Sequence, residues 1–559
     1  MELLVVVVVI AIAAAARLVM LDRVPPPMNQ DEVGRAYDAW CIWRTGADQH
    51  GDRWPVLLRQ FGPGDYSGAL DAYLIAPFIG LLGPTVVAAR LPMALVGTLS
   101  VAVLWWWVRR EFDATAAIVA AAMLALSPCH VHHSRLALDV LLVPAMLTAG
   151  LAMLSAAGFR FRGQSEAPLR WLVMFISGVT FGAAIYSFIA VRLALPVMLI
   201  ALLLTFPVRL KRLMADPRSR FAVAAFVLGL FLASSPFLRT FLRHPEQVFG
   251  RAAYASVFSQ PEGDRSRIVT VIGNYLLHFD PRFLFISGET SPGNARCLLG
   301  MLHWYELALV PIGLVCAARA APKNGMAKWC LVWLAIAPLP AAFSVGGLPH
   351  AFRANGMLPP LVIMSGLAVA EACRHLAKVR RSVSGIIFGA ALCMAAFTEL
   401  LNAQTYFVRM PKDLGMFYQM DLAKAFNYLR EAGCSYDHYV VTKYANQAYI
   451  YLLYFGRIPP EEYHRAHMVR KEWFAGFDAV LRVNEYYFGD QPQWGEELEI
   501  GERFTANLKR LARDWPDGQR VLLIVRPGQT RLGELIHTID TPDLTPVLEL
   551  REVRTDWLR

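Results

Sequence analysis

Apolar residues in this chain come in long unbroken runs rather than short alternating stripes. The first covers 2–20. Ten more follow at about 86–108, 114–131, 138–157, 170–187, 189–206, 220–238, 299–318, 328–345, 355–372 and 384–402. Each is close to the ~17–25 residues that carry a helix across a hydrocarbon core. The pattern predicts a polytopic α-helical membrane protein with about 11 transmembrane helices. The stretch 69–83 is also apolar, but it is short and contains Asp71 and Pro77. If it crossed, the basic loops would alternate between sides. If it only lies in the interface, Arg109 and Arg110, the loop 160–170, the segment 209–220, and the loops 319–328 and 374–381 all fall on the cytoplasmic side. The positive-inside rule favours that arrangement. Residues 69–83 are therefore expected as an amphipathic or re-entrant helix on the outer face.

The same parity sets 21–85, the turn at 130–135, the loop 239–298, the turn at 350–353 and everything after about 402 outside. Past 402 the pattern changes in kind. A helix is expected at 421–431 and a strand at 521–525, with Pro527-Gly528 as a turn. Two domains follow: 1–402 as the membrane domain and 403–559 as a soluble, extracytoplasmic α/β domain.

Composition agrees. The chain is 56% hydrophobic and 18% charged, against about 25% charged in soluble proteins, and its mean hydropathy is +0.39. The net charge of +10 is concentrated in short inner loops, where it orients spans and does not call for nucleic acid. The first run lacks a basic leader and a small-residue cleavage site, so it is expected to be retained as a span. The eight cysteines show no close metal-binding spacing. Cys129, Cys316, Cys330 and Cys393 read as small core residues. Cys41 and Cys434 share the outer side and are candidates for a disulfide. Trp105-Trp106-Trp107 reads as an interfacial belt. No nucleotide-binding or hydrolase motif is present, so no cofactor is implied.

Candidate chemistry gathers at outer span ends. Met28-Asn29-Gln30-Asp31-Glu32 follows the first span after Pro25-Pro26-Pro27, and 33–43 has the spacing of an interfacial helix. A carboxylate beside low dielectric gains proton affinity, which suits Asp31 or Glu32 to take a proton from an acceptor. An exposed loop is the plainer reading of that pair. His130-Val131-His132-His133-Ser134-Arg135 leads to Asp139. Zinc, a basic interfacial turn with Asp139 as a helix cap, and an anion site at His133 and Arg135 are all open readings. In Pro349-His350-Ala351-Phe352-Arg353 the guanidinium either forks onto phosphate or snorkels to the interface. The aromatic loop 278–289 reads as a lid or a packing loop.

Taken together, these segments resemble the GT-C membrane glycosyltransferases, in particular the protein O-mannosyltransferase and aminoarabinose transferase superfamily. The resemblance rests on the acidic pair after the first span, Leu82-Gly83 followed by Ala89-Arg90-Leu91-Pro92, Ser134-Arg135 with Asp139, and His350-Ala351-Phe352-Arg353. It covers roughly 1–400, and Gln447-Ala448-Tyr449-Ile450-Tyr451-Leu452-Leu453-Tyr454 extends it to the tail of bacterial members. It implies an inverting transferase that moves a sugar from a polyprenyl-phosphate carrier to a glycan, lipid or protein acceptor. Transfer would take place at the outer face of the cytoplasmic (inner) membrane. Asp31 would match the catalytic aspartate, with Glu32 beside it, and Asp139 the second acidic position. Arg353 with His350 would hold the donor phosphate, and no metal would be needed. Where aminoarabinose transferases have Glu-Lys-Pro-Pro, this chain has Gly64-Asp65-Tyr66-Ser67-Gly68. Asp65 keeps an acid, but Tyr66 brings no positive charge. A transporter or flippase of lipid-linked glycans is the competing class, but it calls for polar groups at mid-membrane. A non-catalytic assembly factor is the third.

Overall fold

The computed structural model describes residues 2–161, 169–259, 266–289, 298–378, 381–416, 418–441, 447–472, 478–489, 502–541 and 544–559. The chain divides into two compact units. One comprises Met1–Leu21, Ser67–Asp71 and Arg90–Phe407. The other comprises Asp22–Tyr66, Ala72–Ala89 and Val408–Arg559. Asp22–Tyr66 and Ala72–Ala89 therefore fold in the same unit as the tail.

The first unit is helical. Among the described residues six helices are long and apolar enough to cross a membrane, and eight if two bent pairs each count as one span. The remaining expected spans are also helical but shorter: Glu2–Leu18, Trp171–Ala184 and Glu306–Ala320. The expected count of 11 is thus not reached by length alone. The core is aromatic where helices cross. Trp107 is fully buried, 5.7 Å from Phe161 and 6.2 Å from Trp333 by ring centroids. Only Trp106 of the tryptophan run is exposed, so the belt expectation fails at Trp107, which packs inward. Cys129 and Cys330 are buried, whereas Cys393 is on the surface of its helix. Helices Trp171–Ala184 and Pro217–Arg243 approach backbone to backbone through Gly178 and Gly229. A Cβ at Gly229 would collide with the Phe175 carbonyl. Small residues at helix contacts are how apolar helices gain close packing without a hydrophobic driving force.

The second unit contains the helix Leu70–Leu82 from Ala72 onward. At 13 residues that helix is about 20 Å long, too short for a ~30 Å hydrocarbon layer. The unit is built on a seven-stranded mixed sheet in the order Met468–Glu472, Asp478–Val483, Tyr486–Phe488, His438–Val441, Arg520–Val525, Pro546–Arg554, Glu534–Asp540. His438–Val441 runs parallel to both of its neighbours, and the other pairings are antiparallel. Val521 to Val525 are all fully buried, as a continuous apolar run in a two-sided strand requires. Phe504, Leu508 and Trp515 pack on one face of the sheet.

Candidate active site

The Asp31 segment lies in the second unit. Asn29 is the N-cap of helix Gln30–Thr45. Its side-chain oxygen accepts the Asp31 and Glu32 amides at 2.9 and 3.0 Å, and Glu32 Oε2 accepts the Asn29 amide at 3.2 Å. This is a reciprocal capping box, which satisfies orphan amides from both sides. The acids in the first turn also suit the positive end of the helix dipole. Glu32 is fully buried, whereas Asp31 is half-buried. The pair is therefore neither an open loop nor two equivalent carboxylates: Glu32 fastens the helix, and Asp31 stands beside it.

The helix that follows is not the surface element expected at 33–43. Val33, Ala36, Tyr37, Ala39 and Cys41 are all fully buried, and the helix packs on Ala448–Phe455 and Pro460–Tyr463. Three tyrosine hydroxyls from the tail motif hold this region. Tyr451 donates to the Met28 carbonyl at 3.0 Å, Tyr449 to Gln49 Oε1 at 3.3 Å, and Tyr454 to the Thr85 carbonyl at 2.9 Å. Cys41 is buried and Cys434 is exposed just past Gly433, and both are free thiols. The expected disulfide is absent because one partner is locked inside a helix interface.

The helix and the loop that follows it carry a buried acid pair, Asp38 and Asp48. Asp38 accepts from the Gln49 backbone and side chain at 3.0 and 3.3 Å, and from Gln60 at 3.2 Å. Asp48 accepts the His50 and Asp52 amides at 2.9 and 3.0 Å. Burial, then the charge of Asp48, pushes the Asp38 carboxyl well above the usual range, and burial raises Asp48 to about 6. Burial beside Arg470 and Arg59 lowers His50 to about 3. Asp65 is buried in the turn that follows, where its carbonyl accepts the Gln60 amide at 2.9 Å. Tyr66, partly exposed, begins the strand Tyr66–Gly68.

The remaining candidates lie in the helical unit. The expected outer turn at 130–135 is instead a short helix, Pro128–Ser134, bent 59° from Ala114–Leu126. Ser127 makes the bend: its hydroxyl accepts the His130 amide at 3.3 Å and donates to the Met301 carbonyl at 2.8 Å. All of Pro128–Ser134 is buried. The histidines diverge. His130 meets Arg17 at 2.7 Å and Ser100 at 3.2 Å, His132 meets the Tyr406 hydroxyl at 3.0 Å, and His133 lies on Cys129 and Phe352. Among the described residues no cluster of three or more His, Cys, Asp or Glu is arranged to hold a metal.

Two arginines lock this bend to the first helix. Arg17 donates to the Leu124 and Ala125 carbonyls at 3.3 and 2.9 Å, closing the end of Ala114–Leu126. Arg135, fully buried, donates to Ala16, Val19 and Met20 carbonyls at 2.8, 2.7 and 3.0 Å, closing the end of the first helix. These carbonyls are the ones a helix terminus leaves unpaired. Asp139 is buried at the start of a 3₁₀ turn leading into Leu142–Ala157.

His350 is the N-cap of the short helix Ala351–Ala354, and Arg353 lies within that helix. Arg353 donates to Ser344 Oγ at 2.7 Å and the Val345 carbonyl at 3.1 Å. The His350 amide donates to His278 Nε2 at 3.2 Å, and its ring nitrogen is 3.4 Å from Glu289. The aromatic loop is thus a packing loop at its centre, with Phe283, Leu284 and Phe285 buried. At its ends it supplies His278 and Glu289 to the His350 segment, which the sequence reading did not anticipate. Burial and the nearby Arg353 charge lower the His278 pKa. Arg353, His350, His278 and Glu289 form a polar cluster with a cation at its edge, able to meet an anion.

With a membrane-type helical unit and a second unit built on a sheet, the chain has a GT-C-like fold similar to that of ArnT. The family model for dolichyl-phosphate-mannose-protein mannosyltransferase matches residues 68–238. ArnT from Cupriavidus metallidurans bound to undecaprenyl phosphate is 15% identical. The match covers 98% of this chain and 97% of that one, with a TM-score of 0.57; the apo form of the same protein also has a TM-score of 0.57. The Archaeoglobus fulgidus oligosaccharyltransferase tethered to an acceptor peptide is 14% identical over 81% of this chain and 63% of that one, with a TM-score of 0.50. A sequence comparison with the curated proteins finds no match.

Proposed function

We propose that this protein is an inverting glycosyltransferase that moves a sugar from a polyprenyl-phosphate carrier to an acceptor at the outer face of the cytoplasmic membrane. The observation that carries the reading is the near full-length fold likeness to ArnT, a protein seen with undecaprenyl phosphate. In this reading the Asp31 carboxylate takes the proton of the acceptor. The acceptor oxygen bonds to the anomeric carbon as the bond from that carbon to the phosphate oxygen breaks. The electron pair leaves with the phosphate, whose charge Arg353 and His350 stabilise. Asp31 is only half-buried at the capped helix start, which leaves its carboxylate within reach of an acceptor. Asp139 is assigned a supporting acidic role, and Asp65, Tyr66 and His133 are assigned to the substrates. With its donors on helix carbonyls, Arg135 contributes by holding the His133 segment in place. The acceptor class is left open among glycan, lipid and protein.

The test is transfer from a radiolabelled polyprenyl-phosphate sugar by the purified full chain in lipid nanodiscs. Asp31→Asn is expected to abolish transfer while the protein inserts and folds normally. Full transfer by that variant would overturn the base assignment. Lipid-linked glycan moving between leaflets without any transfer would overturn the enzyme reading.

A further inference from the structure

The helical unit carries an apolar groove with a volume of about 490 Å³, and none of its lining residues belongs to the polar clusters above. One wall is Val197, Ile200 and Leu204 on helix Val191–Thr205. The other is Val332 and Ile336 on helix Gly325–Ile336. The spacings of three, four and seven residues keep each set on one helix face. Ile200 and Leu204 remain 56% and 74% exposed.

The groove ends at cations. Lys328 stands one turn before Val332 on the same face, is exposed, and reaches the carbonyl of Thr205, next to Leu204, at 3.4 Å. At Phe206 the chain bends by 79° into helix Pro207–Ala215, which brings Arg209, Lys211 and Arg212 and no acid. The nearest acid along the chain, Asp216, caps the next helix by accepting the Ser219 amide at 2.9 Å. Glu111 lies within electrostatic range of Arg209, and the Ser155 hydroxyl donates to it. An apolar slot with a positive collar complements an acyl chain that ends in a phosphate. A choline head would place a second cation against that collar.

We propose that this groove seats an anionic glycerophospholipid of the membrane. One acyl chain lies between the two helices, and the phosphate sits at Lys328 and the Arg209–Arg212 turn of the following helix. The seat pins the bent pair Val191–Thr205 and Pro207–Ala215, and it is separate from the sugar donor.

The full chain, delipidated in a neutral detergent, is titrated with phosphatidylglycerol, phosphatidylcholine, decaprenyl phosphate and inorganic phosphate while its unfolding temperature is recorded. Phosphatidylglycerol is expected to raise that temperature saturably, and phosphatidylcholine and inorganic phosphate to leave it unchanged. Lys328→Gln should raise the half-saturating phosphatidylglycerol concentration about fivefold, the worth of one cation near an anionic surface. Ala201→Trp, which fills the slot, should abolish the shift with Lys328 intact. Equal stabilisation by phosphatidylcholine, a response to inorganic phosphate, or an unchanged titration in both variants would overturn the proposal. Tighter binding of decaprenyl phosphate than of phosphatidylglycerol would overturn it in favour of a donor-lipid site.

Discussion

Glu32 and Asp31 are adjacent, acidic and on one helix turn, yet the structure gives them separable tasks. Glu32→Ala removes a charged acceptor from the Asn29 amide, a 3.2 Å bond in a fully buried setting. Hydrogen bonds to charged groups contribute about 1.5–3 kcal/mol, and a buried amide left without a partner adds a penalty of the same order. Loss of a cap interaction alone typically costs ~1 kcal/mol. About 2 kcal/mol is therefore expected, or roughly a 30-fold rise in local opening. Glu32→Gln keeps an acceptor in the position where a capping box takes either Glu or Gln, so it should open the helix start by less than about fivefold. Asp31→Asn leaves the capping bonds in place, because its amide rather than its carboxyl donates to Asn29. Its stability should stay within about 0.5 kcal/mol of the parent. Amide hydrogen exchange over 29–35, beside transfer activity on the same preparations, reads both quantities. If Glu32→Gln abolished transfer without changing exchange, Glu32 would be a chemical group rather than a cap. If Asp31→Asn raised exchange as much as Glu32→Ala, the separation of roles would be wrong.

Other outcomes follow from the same geometry. Arg353→Ala is expected to weaken donor use by about 2–3 kcal/mol, some 30- to 150-fold, if a charge-assisted bond to phosphate is lost; an unchanged KM for the polyprenyl-phosphate donor removes Arg353 from the site. Asp48 has a raised pKa, about 6 when folded, so between pH 4 and 6 the folded state binds more protons than the unfolded chain. Its contribution therefore favours folding at low pH and declines as pH rises through 6. Asp48→Asn should gain stability relative to the parent by about 1–3 kcal/mol as pH rises across that window, and should keep or extend the gain above it because Asp38 is then relieved of the Asp48 charge. Denaturant titrations at pH 4, 5, 6 and 7 check this, and the His50 contribution, which has the opposite sign, is common to both proteins. Cys434 should react with a maleimide in the folded protein and Cys41 only after unfolding; a mass lower by two hydrogens with neither labelled would restore the disulfide.

The bilayer made much of this fold readable. A span needs only length and apolarity, so the long runs were found from 2 to 402, and each of them is helical in the structure. The strand at 521–525 and the helix at 421–431 were equally visible, because a buried central strand and an amphipathic helix leave strong local patterns. Asn29-Gln30-Asp31-Glu32 also carried its cap in plain view, since an Asn followed three residues later by Glu is a helix-start pattern.

Tertiary structure decided what local patterns do not encode. It bent the 114–134 run at Ser127 and sent the three histidines to three different partners. It put Arg135 on the end of the first helix, more than a hundred residues away in sequence. It brought His278 and Glu289 to His350, and three tail tyrosines to Met28, Gln49 and Thr85. Hydrophobic length is a property of neighbouring residues, and so the sequence alone fixed where helices form. The partner of a buried charge is set by which helix ends meet in three dimensions, and only the folded chain determines that.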